Sequence, residues 1–243
     1  MPADDPARGL ARAHALLRAA SAGDVGPTIL VHRPPAPAVA FGGSDTRRAG
    51  FGDAVRAARA HGFTPVVRAP GGKAVAYTTA ALVADVVVPE PRPNARMRAR
   101  FVAAGEALAE ALRGIGVDAR HGEVPGEYCP GAHSVNARGT SKLAGTAQRV
   151  VRDAWLFSVV LVTDDAAALR PVLADVYAGL GQPFDPASVG AVRDEVPSAT
   201  DDALEALLTD AVRVLAPDAT TVAPVTVDRL AERFLPGHQV GTP

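Results

Sequence analysis

The sequence predicts an α+β fold built on a mixed or antiparallel sheet with flanking helices. Strand-like segments fall in hairpin pairs, and the helical segments stand in separate blocks instead of alternating with single strands. Size is the other guide: 243 residues can bury a sizeable core without disulfides or a structural metal. No internal repeat or long linker interrupts the chain, and residues 89–93 are too few to separate two units. Residues 1–243 therefore read as a single domain.

Leu10 to Ala20 reads as a helix because Leu10, Ala13, Leu16 and Leu17 recur at helical spacing. Thr28 to Arg33 and Ala38 to Gly42 are apolar, β-branched stretches that read as strands joined by the proline-rich turn 34–37. Phe51 to Gly62 is amphipathic and ends on glycine, as a helix does. Strands are expected at Thr64 to Arg68, Lys73 to Tyr77 and Leu82 to Val88, the last apolar enough for a central position. Asn94 to Leu112 predicts an amphipathic helix that buries Phe101, Val102, Leu108 and Leu112. Val117 to Arg120 is a short strand, and Ser134 to Gly139 with Ser141 to Ala144 form a hairpin turning at residues 138–140. A long apolar strand is centred on Trp155 to Val162. Helices then cover Ala166 to Gly179 and Asp201 to Leu215, with a last short one within Val225 to Phe234. The pairs Asp164-Asp165 and Asp201-Asp202 fit helix starts as N-caps and first-turn acids, not a metal site. Four arginines between Arg92 and Arg100 read as a solvated helix face.

Charge is nearly balanced, 25 basic against 26 acidic residues, so nothing draws the chain strongly to nucleic acid or an anionic membrane. One cysteine cannot form an internal disulfide, and no Cys/His cluster has zinc spacing. The first six residues lack a basic stretch followed by an apolar one, so no leader is expected there. No apolar run approaches the roughly 20 residues of a membrane span. A reducing cytoplasm suits a thiol that must stay reactive. No accessory domain is expected after residue 243.

That cysteine, Cys129, sits in Gly126-Glu127-Tyr128-Cys129-Pro130-Gly131, which reads as an exposed turn. Free cysteines are commonly buried as small apolar residues, but buried ones rarely lie between turn formers. Thirteen positions on comes Lys142, in Lys142-Leu143-Ala144-Gly145-Thr146-Ala147-Gln148-Arg149. A thiolate nucleophile needs a nearby cation or base. Lys142 could be that cation or could donate to an acyl carbonyl and stabilise its oxyanion; the alternative is a solvated hairpin lysine. His133 and His121 are candidate bases, although a loop histidine is more often simply exposed. A second constellation is Arg68-Ala69-Pro70-Gly71-Gly72-Lys73-Ala74-Val75. Its glycines let backbone N–H groups approach a ligand, and its cations favour an anionic or polarised carbonyl group. It lacks P-loop spacing, and a plain Pro-Gly-Gly turn between strands explains it equally well.

Several of these elements occur in a recognisable order. Phe41-Gly42-Gly43-Ser44-Asp45-Thr46-Arg47, the helix to Gly62, Val67-Arg68 with Gly71-Gly72-x-Ala74-Val75, the Cys129 loop and Lys142-Leu143-Ala144-Gly145-x-x-Gln148-Arg149 follow one another. Together they resemble the lipoate–protein ligase, octanoyltransferase and biotin ligase superfamily over roughly residues 28–180. The likeness is nearest to its cysteine-dependent branch, the octanoyl-[glycine cleavage H protein]:protein octanoyltransferases (amidotransferases). The resemblance implies a mixed sheet with flanking helices around a tunnel for an octanoyl chain. It implies Cys129 as acyl-thioester nucleophile, Lys142 on the acyl carbonyl, and Arg68, Gly71, Gly72, Lys73, Ala74 and Gly145 shaping the pocket, with no metal. ATP-using members carry an Asn-Asp pair near the cysteine position; Cys129-Pro130 stands there instead, which favours transfer over adenylation. Two departures stand out: Lys73 occupies a position expected to be apolar, and the His-Gly element of many ligases is missing from Ala154-Trp155-Leu156-Phe157.

The implied activity is an acyltransferase moving an octanoyl or lipoyl group between lipoyl-carrier domains, those of the glycine cleavage H protein and the 2-oxoacid dehydrogenase E2 lipoyl domains. It would need no cofactor, no nucleic acid and no membrane, and would work in the cytoplasm. One rival is an ATP-dependent lipoate or octanoate ligase that uses ATP and Mg, with Lys142 handling an acyl-adenylate. The other is a non-catalytic acyl- or carrier-binding protein that kept the fold.

Overall fold

Two β-sheets organise the chain in the computed structural model, which describes residues 5–241. The larger sheet has seven strands. From edge to edge they are Thr220–Val222 (β10), Thr28–His32 (β1), Leu82–Pro89 (β5), Ala154–Leu161 (β9), Ser141–Val151 (β8), Val135–Ala137 (β7) and Ala119–His121 (β6). The β1–β10 pair is parallel and the other pairs are antiparallel. The smaller sheet holds Ala38–Phe41 (β2) between Thr64–Val67 (β3), parallel to it, and Val75–Tyr77 (β4), antiparallel. Helices are Ala7–Ala22 (α1), Phe51–Ala60 (α2), Met97–Gly114 (α3), Ala166–Gly179 (α4), Val192–Glu195 (α5), Asp201–Arg213 (α6) and Pro224–Ala231 (α7), the last continued by a 3-10 segment, Glu232–His238.

The α+β class with a mixed sheet is what forms, but one expected pairing does not. Strands β1 and β2 belong to different sheets and are not a hairpin. Prolines at 34, 35 and 37 offer no N–H for cross-strand bonding and restrict φ, so this segment carries the chain from one sheet to the other. The β7–β8 hairpin turns where expected, with Arg138 and Gly139 both at positive φ (56° and 75°), the geometry that matches strand twist. Strand β8 then runs on to Val151, well past Ala144, and pairs with β9 along its length.

Alternation along the central strands creates two packed layers. Leu82, Ala84 and Val86 of β5 with Trp155, Phe157 and Val159 of β9 face α3 and α6 through Leu108, Leu112, Leu204 and Leu208. The opposite face, with Leu30, Val87 and Leu156, packs against α1, α4 and the smaller sheet. Helix α3 buries Ala104, Leu108, Ala109 and Leu112, whereas Val102 is 40% exposed and Phe101 half-buried. Val102 lies two residues from Ala104, about 200° around the helix, and so points outward. Arg100 also departs from expectation. It is 5% exposed, donates to Gln148 Oε1 at 2.8 Å, sits 3.3 Å from a Glu90 oxygen and stacks 4.5 Å over the Trp155 ring. Asp165 occupies the N-cap position of α4, but at φ 65° its side chain caps nothing and instead accepts from Thr78 Oγ1. Helix α6 is capped by Thr200, leaving Asp201 and Asp202 as first-turn acids.

The initial residues read as lacking a leader fall largely on residues 1–4, outside the described residues. Among the described residues, no helix is long and apolar enough to cross a membrane.

Leu156 is fully buried on β9 in the layer that faces α1. Leu156→Ala is expected to cost about 2–5 kcal/mol, measured as a lower urea midpoint with an unchanged slope.

Candidate active site

Two glycine-containing segments 30 positions apart form one surface. After β2, Gly42 meets the turn between β3 and β4: a Cβ there would lie 1.9 Å from the Gly72 carbonyl oxygen. Gly72 has φ 101°, and a Cβ on it would stand 2.8 Å from Cys129 Sγ and 2.4 Å from an Arg68 nitrogen. Only glycine permits both this conformation and this approach. The bareness of the turn is what lets the cysteine sulfur come down onto it.

Cys129 itself is in the left-handed region, φ 43°, which a non-glycine residue holds only when its surroundings enforce it. Its N–H donates to Tyr177 Oη at 2.5 Å, and that hydroxyl donates to the Ala74 carbonyl at 2.9 Å. Burial pushes the Tyr177 hydroxyl well above the usual tyrosine range, so it stays a donor. The sulfur accepts from the Lys73 N–H at 3.2 Å and from Arg68 Nη2 at 3.4 Å.

Beneath the loop lies Lys142. The solvated-hairpin alternative is excluded, since its side chain is 2% exposed. Its Nζ donates to the Tyr128 carbonyl at 2.9 Å and the Cys129 carbonyl at 3.2 Å, and pairs with Glu127 Oε2 at 3.3 Å. The three ammonium protons thus have three partners. The Tyr128 ring, 4.6 Å away, covers the cation. Glu127 turns its other oxygen to Ser134 Oγ at 2.9 Å and the Gly131 N–H at 3.1 Å. Desolvation draws the Lys142 ammonium below the ordinary lysine range, against the pull of Glu127 and the thiol. The loop expected to be an exposed turn is exposed at Gly126, Pro130 and Gly131, whereas Glu127 and Tyr128 are buried and Cys129 is half-buried.

A cavity of about 270 Å³ opens here, and Cys129, Lys142, Arg68, Gly71, Gly72 and Gly145 all line it. Val75, Ala76, Met97, Phe101 and Val160 make its walls largely apolar. Lys73 and Ala74, also expected to shape the pocket, are not among its walls: Lys73 contributes its N–H to the sulfur, and Ala74 is fully buried with its carbonyl on Tyr177. Arg68 Nε is buried without a hydrogen-bond partner among the described residues. His133 lines the cavity too, stacked on Phe101 at 5.1 Å, with Nδ1 engaged by His121 Nε2 at 3.2 Å. His121 in turn meets Glu106 at 3.0 Å. Burial, then His121 and Arg98, hold His133 below the usual histidine range, which favours the neutral ring at pH 7.

Sequence reasoning assigned no role to Glu127 or Tyr177. Glu127 lies inside the quoted cysteine motif, and an acid followed two positions later by a candidate nucleophile was the available signal. Tyr177 is 48 positions from Cys129 on a different element, and nothing local announces it. Among the described residues, no group of three or more His, Cys, Asp or Glu side chains gathers as a metal site would.

The chain matches the lipoyl protein ligase A/B catalytic domain family over residues 5–212. It is 32% identical over 144 residues to the octanoyl-[GcvH]:protein N-octanoyltransferase of Exiguobacterium sibiricum, covering 58% of this chain and 51% of that protein. The chain thus spans about half the length of the curated relatives it matches. In fold it is similar to a crystal structure of lipoate-protein ligase A bound with ATP, with a TM-score of 0.72, 22% identity, and coverage of 95% of this chain and 89% of that one. It is equally similar to the T. acidophilum protein Ta0514 with bound lipoic acid, with a TM-score of 0.73, 20% identity, and coverage of 97% and 91%.

Removing Glu127 would leave an uncompensated buried ammonium. Glu127→Gln is expected to cost about 3–5 kcal/mol in denaturant unfolding. The lowered Lys142 also fixes a sign. Between its folded-state value and the unfolded 10.5, the unfolded chain binds more protons. Wild-type stability relative to Lys142→Met must therefore rise with pH across that window. Paired unfolding curves from neutral pH to 10.5 check it, and a falling difference would contradict it.

Proposed function

The chain belongs to the lipoyl protein ligase A/B catalytic domain family, and from that premise we propose that it moves a medium-chain acyl group, of the octanoyl or lipoyl kind, between lipoyl-carrier domains through a thioester on Cys129. The observation that carries this reading is the sulfur at an apolar cavity, held by the Lys73 N–H and the Arg68 guanidinium. An acyl chain in such a cavity gains about 0.8 kcal/mol per buried methylene. The relative's name, octanoyl-[GcvH]:protein N-octanoyltransferase, supports carrier proteins as donor and acceptor.

In the first half-reaction the Cys129 sulfur attacks the donor's acyl carbonyl carbon. Negative charge moves to the carbonyl oxygen, and collapse of the adduct breaks the bond to the donor, whose leaving nitrogen takes the proton given up by the thiol. In the second half, the acceptor's lysine amine attacks the thioester carbon, the C–S bond breaks, and the amine's proton leaves. Neutral His133 at the cavity wall is placed to receive such a proton. An amide donor and an amide product are level in free energy, so the exchange needs neither ATP nor another cofactor. Two half-reactions at one thiol predict ping-pong kinetics.

Roles divide differently from the family-based expectation. With its protons engaged by Tyr128, Cys129 and Glu127, Lys142 is a positioning residue that holds the nucleophile loop. The donor for the developing oxyanion is the Arg68 guanidinium, which lines the cavity and already reaches the sulfur through Nη2. The free thiol suits a reducing cytoplasm.

The test mixes octanoyl-loaded carrier with apo-carrier, with and without ATP, and reads intact masses. Wild-type protein should gain one octanoyl group and pass it on without ATP. Cys129→Ser should abolish both, and Arg68→Met should lower kcat by about 10²–10³. ATP-dependent transfer that survives Cys129→Ser would replace this reading with the ligase one.

A further inference from the structure

Beneath the Cys129 cavity lies a polar cluster that the reaction above does not use. Strands β5 and β9 are apolar and central, yet their register sets Asp85 opposite Ser158, on the sheet face that carries the cavity. Asp85 is 3% exposed, and Ser158 Oγ donates to its Oδ1. His32, at the end of β1, brings Nε2 to 3.7 Å from Asp85 Oδ2, beyond hydrogen-bond reach. That nitrogen is buried and has no hydrogen-bond partner among the described residues. His32, Asp85 and Ser158 line a second pocket of about 50 Å³. It shares Arg68, Val75, Ser158 and Val160 with the cavity above and lies on its α1 side, against Gly9, Leu10 and Ala13.

A saturated hydrocarbon end satisfies neither the carboxylate nor the unpaired ring nitrogen, and buried polar groups left unmatched are costly. A hydroxyl or thiol can meet this need by donating to Asp85 Oδ2 or to His32 Nε2, whose ring already turns Nδ1 to the Arg33 carbonyl at 3.4 Å. The space agrees, since about 50 Å³ holds one or two water-sized groups. We propose that this deep pocket selects a medium-chain acyl group bearing a hydroxyl or thiol on its distal carbons over a plain octanoyl chain. The proposal rests on the reading of the upper cavity as the acyl site.

Isothermal titration of the full chain with octanoic, 6-hydroxyoctanoic, 8-hydroxyoctanoic and 8-mercaptooctanoic acids tests it. At least one polar acid should bind about tenfold or more tightly than octanoic acid, and Asp85→Leu should abolish that preference. A thermal melt shows whether this variant folds, and His32→Phe is read in its place if it does not. A smaller preference in wild type, or one that persists in the folded variant, overturns the proposal and leaves the pocket to water. Failure of acyl transfer with the preference intact removes only the covalent reading. Transfer with octanoic acid preferred removes only this one, and binding of no acid at all removes both.

Discussion

The buried pair of Lys142 and Glu127 is the constraint on which the site depends. An ammonium and a carboxylate are kept from water only because every charge-bearing atom finds a partner: two loop carbonyls and a carboxylate oxygen for the cation, a hydroxyl and an N–H for the other oxygen. Those partners are mostly the backbone of the cysteine loop itself. The loop is thereby tied to β8, a long strand of the main sheet, and cannot drift without leaving a buried charge unpaired. Cys129 can hold a positive φ because its carbonyl is fixed from below by Lys142 and its N–H from the side by Tyr177.

The second constraint is steric. Gly42 and Gly72 bring two turns of the smaller sheet into backbone contact, and the missing side chains make room for sulfur and guanidinium. Cys129 thus stands between the two sheets, with the cavity lined from both. The lining is apolar near the sulfur and polar at the smaller pocket, where the strand period turns Asp85 and Ser158 to the same side. One face of the same two strands is pure hydrocarbon against α3 and α6. One face packs against helices, and the other lines the cavities.

Legibility in the sequence followed the range of each interaction. Helices α1, α4 and α6 and the β7–β8 hairpin rest on neighbours a few positions apart, and their periodicity and turn residues show it. The partition of strands between sheets did not show, because proline-rich segments look the same whether they close a hairpin or cross a gap. Arg100 read as solvated since charge near a helix start usually is; its burial comes from Gln148 and Trp155, residues of the distant sheet. Val102 read as core because apolarity alone does not fix the helix phase.

By itself the sequence determined the class of fold, the family resemblance and the segments that carry the chemistry, since residue types, turn formers and motif order are local properties. Tertiary structure alone decided where those residues stand and what they touch. Lys142 is buried under the cysteine loop with its ammonium on two loop carbonyls, Lys73 offers its N–H to the sulfur, and Asp85, unremarked in an apolar run, lines a small inner pocket. The physical reason is that a hydrogen bond's partner, and the water excluded around it, are set by which strands the sheets place side by side.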